Sequence, residues 1–364
     1  MTKKLIIGHI GWFAHGNFGD DLMTHIIHYK LNNVFEDPSI RLWSHERPLG
    51  LKQKWFYPFN LRSQRIRDLW APVGLMGMSS LIIGGGSILH TENSIRWKLK
   101  AIEQLKRQNR KAKSVGVNLS LGPFENKNAE KLCLDLISKL DGISLRDDDS
   151  FKWATQTNGK NVIKGFDIVA KYIRDKKFSQ TGETNTLALV LMKPLDHFDK
   201  THKENLLLVQ NVLKRFEKIN LVSFSEGTDL SDYAYQCALY EELSQEGREK
   251  LSFIRYQDDM DDFLAKFAQH SYVITNRFHG NVLSYLFGIP FISLCFKRYF
   301  KKNKDFMEMV ESQEDQYFVY DNETKLDVPK LLECIKHQAL IPKEDFFARS
   351  EACLNVLNLL NDAE

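Results

Sequence analysis

Short apolar runs recur along the chain and alternate with longer segments whose apolar positions repeat every three to four residues. That alternation predicts βαβ units and parallel sheets. In the first half, strands are expected over Lys4–Ile10, Ser80–Ile83, Ser114–Leu119 and Gly142–Leu145, with helices over about Asp20–Leu31, Ser94–Arg110 and Ala129–Leu140. The polar stretch Asp175–Thr186 reads as a linker. Beyond it come a strand at Leu187–Met192, a helix near Lys203–Ile219, a strand at Leu221–Phe224 and a helix near Asp229–Leu243. A strand at Ser252–Ile254 and a helix over Met260–Gln269 follow. Ser271–Leu294 then reads as strand, sharp turn, short helix, Gly-Ile-Pro turn and strand, and Asp345–Asn361 as a terminal helix. The fold class expected is α/β: two Rossmann-like domains with parallel sheets facing a central cleft, the GT-B-like arrangement. Residues 1–178 form the first domain and 186–344 the second, with 345–364 expected to pack back on the first.

The length of 364 residues supports this division, because a single core rarely organises so long a chain. With 43% hydrophobic and 27% charged residues the composition is that of a globular protein. A formal net charge of +3 means that any basic patch is local. The five cysteines (Cys133, Cys237, Cys295, Cys334, Cys353) have no C-x-x-C spacing, which argues against a disulfide framework or zinc site and for a reducing compartment. No ligand cluster demands a metal. The N-terminal apolar run is too short for a signal sequence or membrane span, so a cytoplasmic location is expected.

Candidate chemistry collects where predicted strands give way to loops. The first loop, Gly11–Met23, contains Asn17 and Gly19 and ends in Asp20 and Asp21. Asp20 is read either as a helix N-cap or as a carboxylate facing a ligand. The G-x-x-G-D-D pattern is not a dinucleotide fingerprint, so a nicotinamide cofactor is not supported. In the second loop Gly84, Gly85, Gly86 and Ser87 precede His90; consecutive glycines mark a close approach by substrate or backbone, or simply a tight turn. Arg146 ends a predicted strand beside Asp147, Asp148 and Asp149, and is either paired with neighbouring acids or aimed at a ligand. Asp147 or Asp148 is expected to cap the next helix. The strongest segment is T-N-R-F-H-G-N, where Arg277 and His279 stand at a strand-to-helix turn. In an open parallel sheet, ligands bind at that edge, and a helix N-terminus offers free N–H groups. A guanidinium and an imidazole there suit an anion whose chemistry needs a proton. Five cations between Lys297 and Lys304 are either a solvated loop or a positive rim to that site.

Taken together, these loops resemble the polysaccharide pyruvyl transferase family. The matching pieces are G-N-F-G-D-D, G-G-G-S-I-L, G-V-N-L-S-L-G-P, S-L-R-D-D-D-S, G-F-D and R-F-H-G-N-V-L-S-Y-L-F-G-I-P, in family order over about Ile6–Lys297. The resemblance implies a GT-B-like enzyme that moves a pyruvyl group from phosphoenolpyruvate to a sugar of a surface polysaccharide or its lipid-linked precursor. The product is a ketal, phosphate is released, and phosphoenolpyruvate is a co-substrate with no further cofactor. The implied donor site is built from Arg146, Arg277 and His279, with Lys297, Gly280 and Asn281 beside them. His279 is assigned as general acid and Asp20 or Asp21 as base. Asn17, Gly19, Gly85, Gly86, Ser87 and His90 are assigned to loops facing the acceptor. The chain departs from the family in Ser87, where a fourth glycine is common, and in an aromatic, basic insert after Ser44.

That insert, His45–Trp70, mixes Trp55, Phe56, Tyr57, Phe59 and Trp70 with Arg47, Lys52, Lys54, Arg62, Arg65 and Arg67. Residues 96–113 carry eight Lys or Arg against one Glu. Such surfaces suit sugars, pyrophosphates and anionic headgroups, so peripheral association with the inner face of an anionic membrane is expected; the alternative is a solvated basic face. No recognition motif supports nucleic acid. The rival functions are a GT-B glycosyltransferase using a nucleotide sugar, with Glu226 and Asp229 available to ribose hydroxyls, a non-catalytic partner in glycan assembly, and a nucleotide-sugar epimerase.

Overall fold

The computed structural model describes residues 5–13, 16–43, 55–56, 75–156, 161–178, 185–194, 198–226, 231–257, 259–296, 300–312, 316–320, 326–335 and 339–363. The chain forms two compact units. One comprises Met1–Ala14, Asp20–Asp175 and Glu344–Glu364, the other His15–Gly19 and Lys176–Lys343. The aromatic, basic insert lies outside the described residues except for the short strand at 55–56.

The first unit holds β1 (Ile6–Ile10), β2 (Ser39–Trp43), β3 (Trp55–Phe56), β4 (Ser80–Leu89), β5 (Lys113–Leu121), β6 (Gly142–Leu145) and β7 (Val162–Lys164). They pair in parallel in the order β3-β2-β1-β4-β5-β6-β7. The second unit holds β8 (Thr186–Val190), β9 (Lys218–Ser223), β10 (Leu251–Arg255), β11 (Tyr272–Thr275), β12 (Phe291–Phe296) and β13 (Tyr317–Tyr320), parallel in the order β10-β9-β8-β11-β12-β13. Each sheet grows outward on both sides from its first strand. The strand order therefore reverses between β1 and β4, and again between β8 and β11. The ligand crevice of an open α/β sheet lies at the carboxyl ends of such a pair.

Local sequence explains the elements. β8 (TLALV) and β12 (FISLCF) are buried along their whole length, so they read as continuous apolar runs rather than alternating ones. Helix Glu92–Gln108 buries Ile95, Leu99, Ile102 and Leu105 on one stripe, while Thr91 caps its start by accepting the Ser94 N–H at 3.3 Å. The terminal helix Glu344–Asn355 packs within the first unit. Phe346 stacks on Phe166 at 4.4 Å, and Arg349 donates to the Gly165 carbonyl at 3.0 Å and pairs with Asp148 at 2.7 Å. Among the described residues no helix is long and apolar enough to cross a membrane.

β4 does not stop at Ile83 but runs through the glycines, with Gly84 opposite Val117 and Gly86 opposite Leu119 before the register shifts. Ladder hydrogen bonds use only backbone, so glycines can extend a strand. Gly85 and Gly86, at φ 85° and 86°, take a bulge conformation that a side chain would resist.

The first unit also buries an unexpected pair of histidines. His9 of β1 and His28 of helix Phe18–Val34 are hydrogen-bonded at 3.0 Å, with His25 and its partner Tyr172 nearby. Burial lowers the His9 pKa from 6.5 to about 3; His28 is also lowered, by burial first and then by His9 and His25. The folded protein therefore binds fewer protons than the unfolded chain below pH 6.5. Stability is complete above that pH and falls continuously as pH drops toward about 3, by up to roughly 5 kcal/mol for His9 alone. The urea midpoint should fall between pH of about 7 and about 5, and less steeply in His28→Asn; equal slopes would show that the pair does not sense pH.

Candidate functional site

In the second unit, the turn after β11 is held by its own side chains. Thr275 Oγ1 accepts the Arg277 N–H at 3.1 Å, and Asn276 Oδ1 accepts the Met192 N–H at 2.8 Å, tying the ends of β8 and β11 together. Arg277 is the extended N-cap residue of helix Phe278–Leu286 and makes no side-chain cap. Instead its guanidinium forks onto Asp232, with Nε donating to Oδ2 at 3.0 Å and Nη2 donating to Oδ1. Asp232 has no solvent exposure; burial raises its pKa, against the pull of Arg277 and of backbone N–H groups. His279 follows in the first helical turn, 9% exposed.

The neighbours of His279 set its place. Gly19 lies against the ring: a Cβ there would fall 2.6 Å from Cγ and closer still to Nδ1 and Cε1. Segment 16–19, part of the same unit, is fixed by an antiparallel bridge from Asn17 to Ser225 and by the Phe18 N–H donating to the Phe224 carbonyl at 2.8 Å. The Phe18 ring is buried among Phe224, Tyr256 and Phe263, with centroids at 5.3, 5.1 and 4.6 Å. Gly280 is constrained too, since a Cβ there would sit 2.9 Å from Thr275 Cβ. Asn281 is wholly buried, and neither end of its amide has a hydrogen-bond partner among the described residues. Lys297 lies outside the described residues. Of the neighbouring cations, Lys301 pairs with Asp305, Lys304 pairs with Glu308, and the Lys302 ammonium stands 4.1 Å from the Phe278 ring.

In the first unit, Asp20, Gly86, Ser87 and Arg146 come together at the carboxyl ends of the central strands. A Cβ on Gly86 would lie 3.5 Å from Asp20 Oδ1, 4.0 Å from Arg146 Nη2 and 3.2 Å from the Met23 methyl. Gly85 also faces Met23, whose Cβ would stand 3.6 Å from a side chain there. Arg146 is 3% exposed. It donates to Asp167 at 2.8 Å, to Ser120 at 2.8 Å and to Ser87 at 3.4 Å. Its buried acidic partner is Asp167, and Asp147 caps the next helix by accepting the Ser150 N–H at 2.8 Å. Asp20 is in the first turn of its helix rather than at the cap, and Asn17 Oδ1 accepts the Gly19 N–H at 3.3 Å. Asp21 is fully buried and Asp20 half-buried, while His90 is exposed beyond β4.

Asp167→Ala should cost about 3–5 kcal/mol of stability, because it strands a buried guanidinium. Urea unfolding checks this: a loss under about 1 kcal/mol would mean the pair is effectively solvated.

Three contributors carry no role in the sequence reading: Asp232, and Asp167 and Asn118, which stand in the G-F-D and G-V-N-L-S-L-G-P pieces. Asn118 is buried at φ 54°, accepts no cap role, and donates its amide to Met23 Sδ at 3.1 Å. Among the other sequence candidates, Glu226 forms a two-pronged pair with Arg255, and Asp229 lies outside the described residues. The cationic helix is also more committed than its composition implies. Arg96 pairs with Glu92, Lys98 is buried on the Ile88 carbonyl, and Lys106 pairs with Asp141, whereas Arg107, Arg110 and Lys111 are exposed.

No curated protein sequence matches the chain significantly. Among solved structures, UDP-GlcNAc 2-epimerase from Methanocaldococcus jannaschii superposes with a TM-score of 0.63 at 9% identity, over 98% of this chain and 99% of that one. Staphylococcus aureus MnaA, solved with UDP, gives 0.63 at 12% identity over 98% and 97%. The Neisseria meningitidis UDP-GlcNAc 2-epimerase, bound to UDP-GlcNAc, gives 0.63 at 9% over 98% and 99%. At such identities the likeness concerns the fold, which is GT-B-like. The family model for polysaccharide pyruvyl transferase matches residues 17–294, from the loop carrying Gly19 through the Arg277 helix to β12, and the chain belongs to that family.

Proposed function

We propose that the protein transfers the pyruvyl group of phosphoenolpyruvate to a sugar of a surface polysaccharide or its lipid-linked precursor. The observation that carries this reading is the turn after β11, where Arg277 and His279 stand two residues apart at a helix N-terminus, at the reversal of strand order. The guanidinium and the helix N–H groups suit carboxylate and phosphate oxygens. His279 gives its proton to the methylene carbon of the enol, and the adjoining carbon becomes electrophilic. A sugar hydroxyl adds there, losing its proton to a carboxylate base. A second hydroxyl of the same sugar then displaces phosphate and closes the ketal, its proton leaving with the phosphate.

The test is incubation with phosphoenolpyruvate and a panel of lipid-linked and nitrophenyl glycosides. The expected result is an acceptor heavier by one pyruvyl group with stoichiometric phosphate. Failure across the panel, together with thermal stabilisation by UDP and none by phosphoenolpyruvate, would replace this reading with a nucleotide-sugar enzyme.

A further inference from the structure

The Arg277–Asp232 pair carries a further conclusion, which rests on the function just proposed. A guanidinium has two edges able to make paired hydrogen bonds, the Nε/Nη2 side edge and the Nη1/Nη2 end edge. Asp232 takes the side edge through Oδ2 and Oδ1. The end edge remains for an oxyanion. Arg277 side-chain exposure is 16%, against none for Asp232, so the carboxylate is the inner partner of the pair.

Asp232 is itself firmly seated. It is the first residue of helix Asp232–Glu241, whose N-cap Ser231 accepts the Ala234 N–H at 3.2 Å. Its Oδ2 also accepts the Phe224 N–H at 3.2 Å, and its own N–H donates to the Ser225 carbonyl at 2.8 Å. One turn on, Gln236 donates to the Leu191 and Val222 carbonyls at 3.1 and 3.0 Å and accepts the Ser223 hydroxyl at 2.7 Å. The helix is thereby locked to the ends of β8 and β9. A negative charge at a helix N-terminus is favoured.

We infer that Asp232 is a positioning residue: it fixes the rotation of the Arg277 guanidinium so that its end edge is presented to the donor's oxyanion. The pair is close to neutral in total charge, so recognition depends on alignment more than on net attraction. A buried ion pair is weak evidence for stability alone, which makes orientation the better account of this one.

The experiment compares wild type with Asp232→Asn. An amide sets an N–H against the guanidinium, so one prong is lost and the side chain turns. In nitrogen- and carbon-labelled protein, Arg277 should show hindered rotation about Nε–Cζ in the wild type and free rotation in D232N. The KM for phosphoenolpyruvate should rise at least about tenfold, with kcat little changed. In an Arg277→Lys background, D232N should raise KM no further. Unchanged rotation in D232N, or an equal KM increase in both backgrounds, overturns the inference. If D232N does not fold, Asp232→Glu replaces it: the longer stem should keep rotation hindered but shift the presented edge, again raising KM, and an unchanged KM overturns the inference. The rotation measurement needs no substrate. If the wild type neither binds nor consumes phosphoenolpyruvate, the proposed function falls, while the rotation measurement still decides whether Asp232 fixes the Arg277 guanidinium.

Discussion

Replacing His279 by alanine should lower kcat by a factor of about 10²–10⁴, the usual contribution of a positioned general acid, while phosphoenolpyruvate still binds within a few-fold of wild type. The two effects separate because different groups carry them. In the proposed reaction Arg277 and the helix N–H groups would hold the donor, and His279 would supply the proton that makes its central carbon electrophilic. The substitution removes a side chain that is 9% exposed, so some packing is lost as well. Truncating a buried side chain costs on the order of 2–5 kcal/mol, so activity must be read below the melting temperature of the variant. Stopped-flow phosphate release and calorimetric titration with phosphoenolpyruvate check the two halves. Near-normal turnover by His279→Ala would end the acid assignment.

Gly19→Ala should be nearly as damaging, although it touches no reacting group. Glycine lies here in the first turn of a helix, where alanine would ordinarily stabilise by about 1 kcal/mol. The competing term is larger. The new methyl group would occupy the position of the imidazole ring. The backbone cannot retreat, because the preceding residue is held by the Phe224 carbonyl and its side chain is buried in an aromatic cluster. The ring must therefore turn away. Overpacking of this kind costs about 1–3 kcal/mol, and kcat should fall at least about 100-fold. In a His279→Ala background the same change should have little further effect on turnover, because the residue it displaces is already gone. Equal losses in both backgrounds would show that Gly19 acts on something other than the imidazole.

The parts of the fold visible in sequence were those set by local pattern. β6 occupies Gly142–Leu145, as the apolar run between two polar turns implies, and β11 ends at Thr275 where the apolar run gives way to Asn276 and Arg277. β2 was missed because S-I-R-L-W alternates over only five residues, and β7 because it spans only three, V-I-K. Of the candidate site, Arg277 and His279 could be read because they lie two residues apart at a recognisable turn. The long-range side-chain pairings could not, even where a member such as Asp167 stands in a family piece. Asp232 precedes Arg277 by 45 residues, Asp167 follows Arg146 by 21, and His9 and His28 are 19 apart. Such pairings are consequences of strand order, which no local period encodes. The glycine run was read as a loop because glycine usually weakens a strand. It lies in a ladder whose bonds need no side chain.

Phe18 has a bearing on how the protein can be cut. Five residues near the amino terminus are built into the unit whose remainder begins more than 150 positions later. A fragment starting at Lys176 would lack the ring that fills the space between Phe224, Tyr256 and Phe263, and would lose the backbone partner of Phe224. The back half of this chain therefore borrows a packing residue from the front, and dissection at the obvious linker would leave a gap among Phe224, Tyr256 and Phe263.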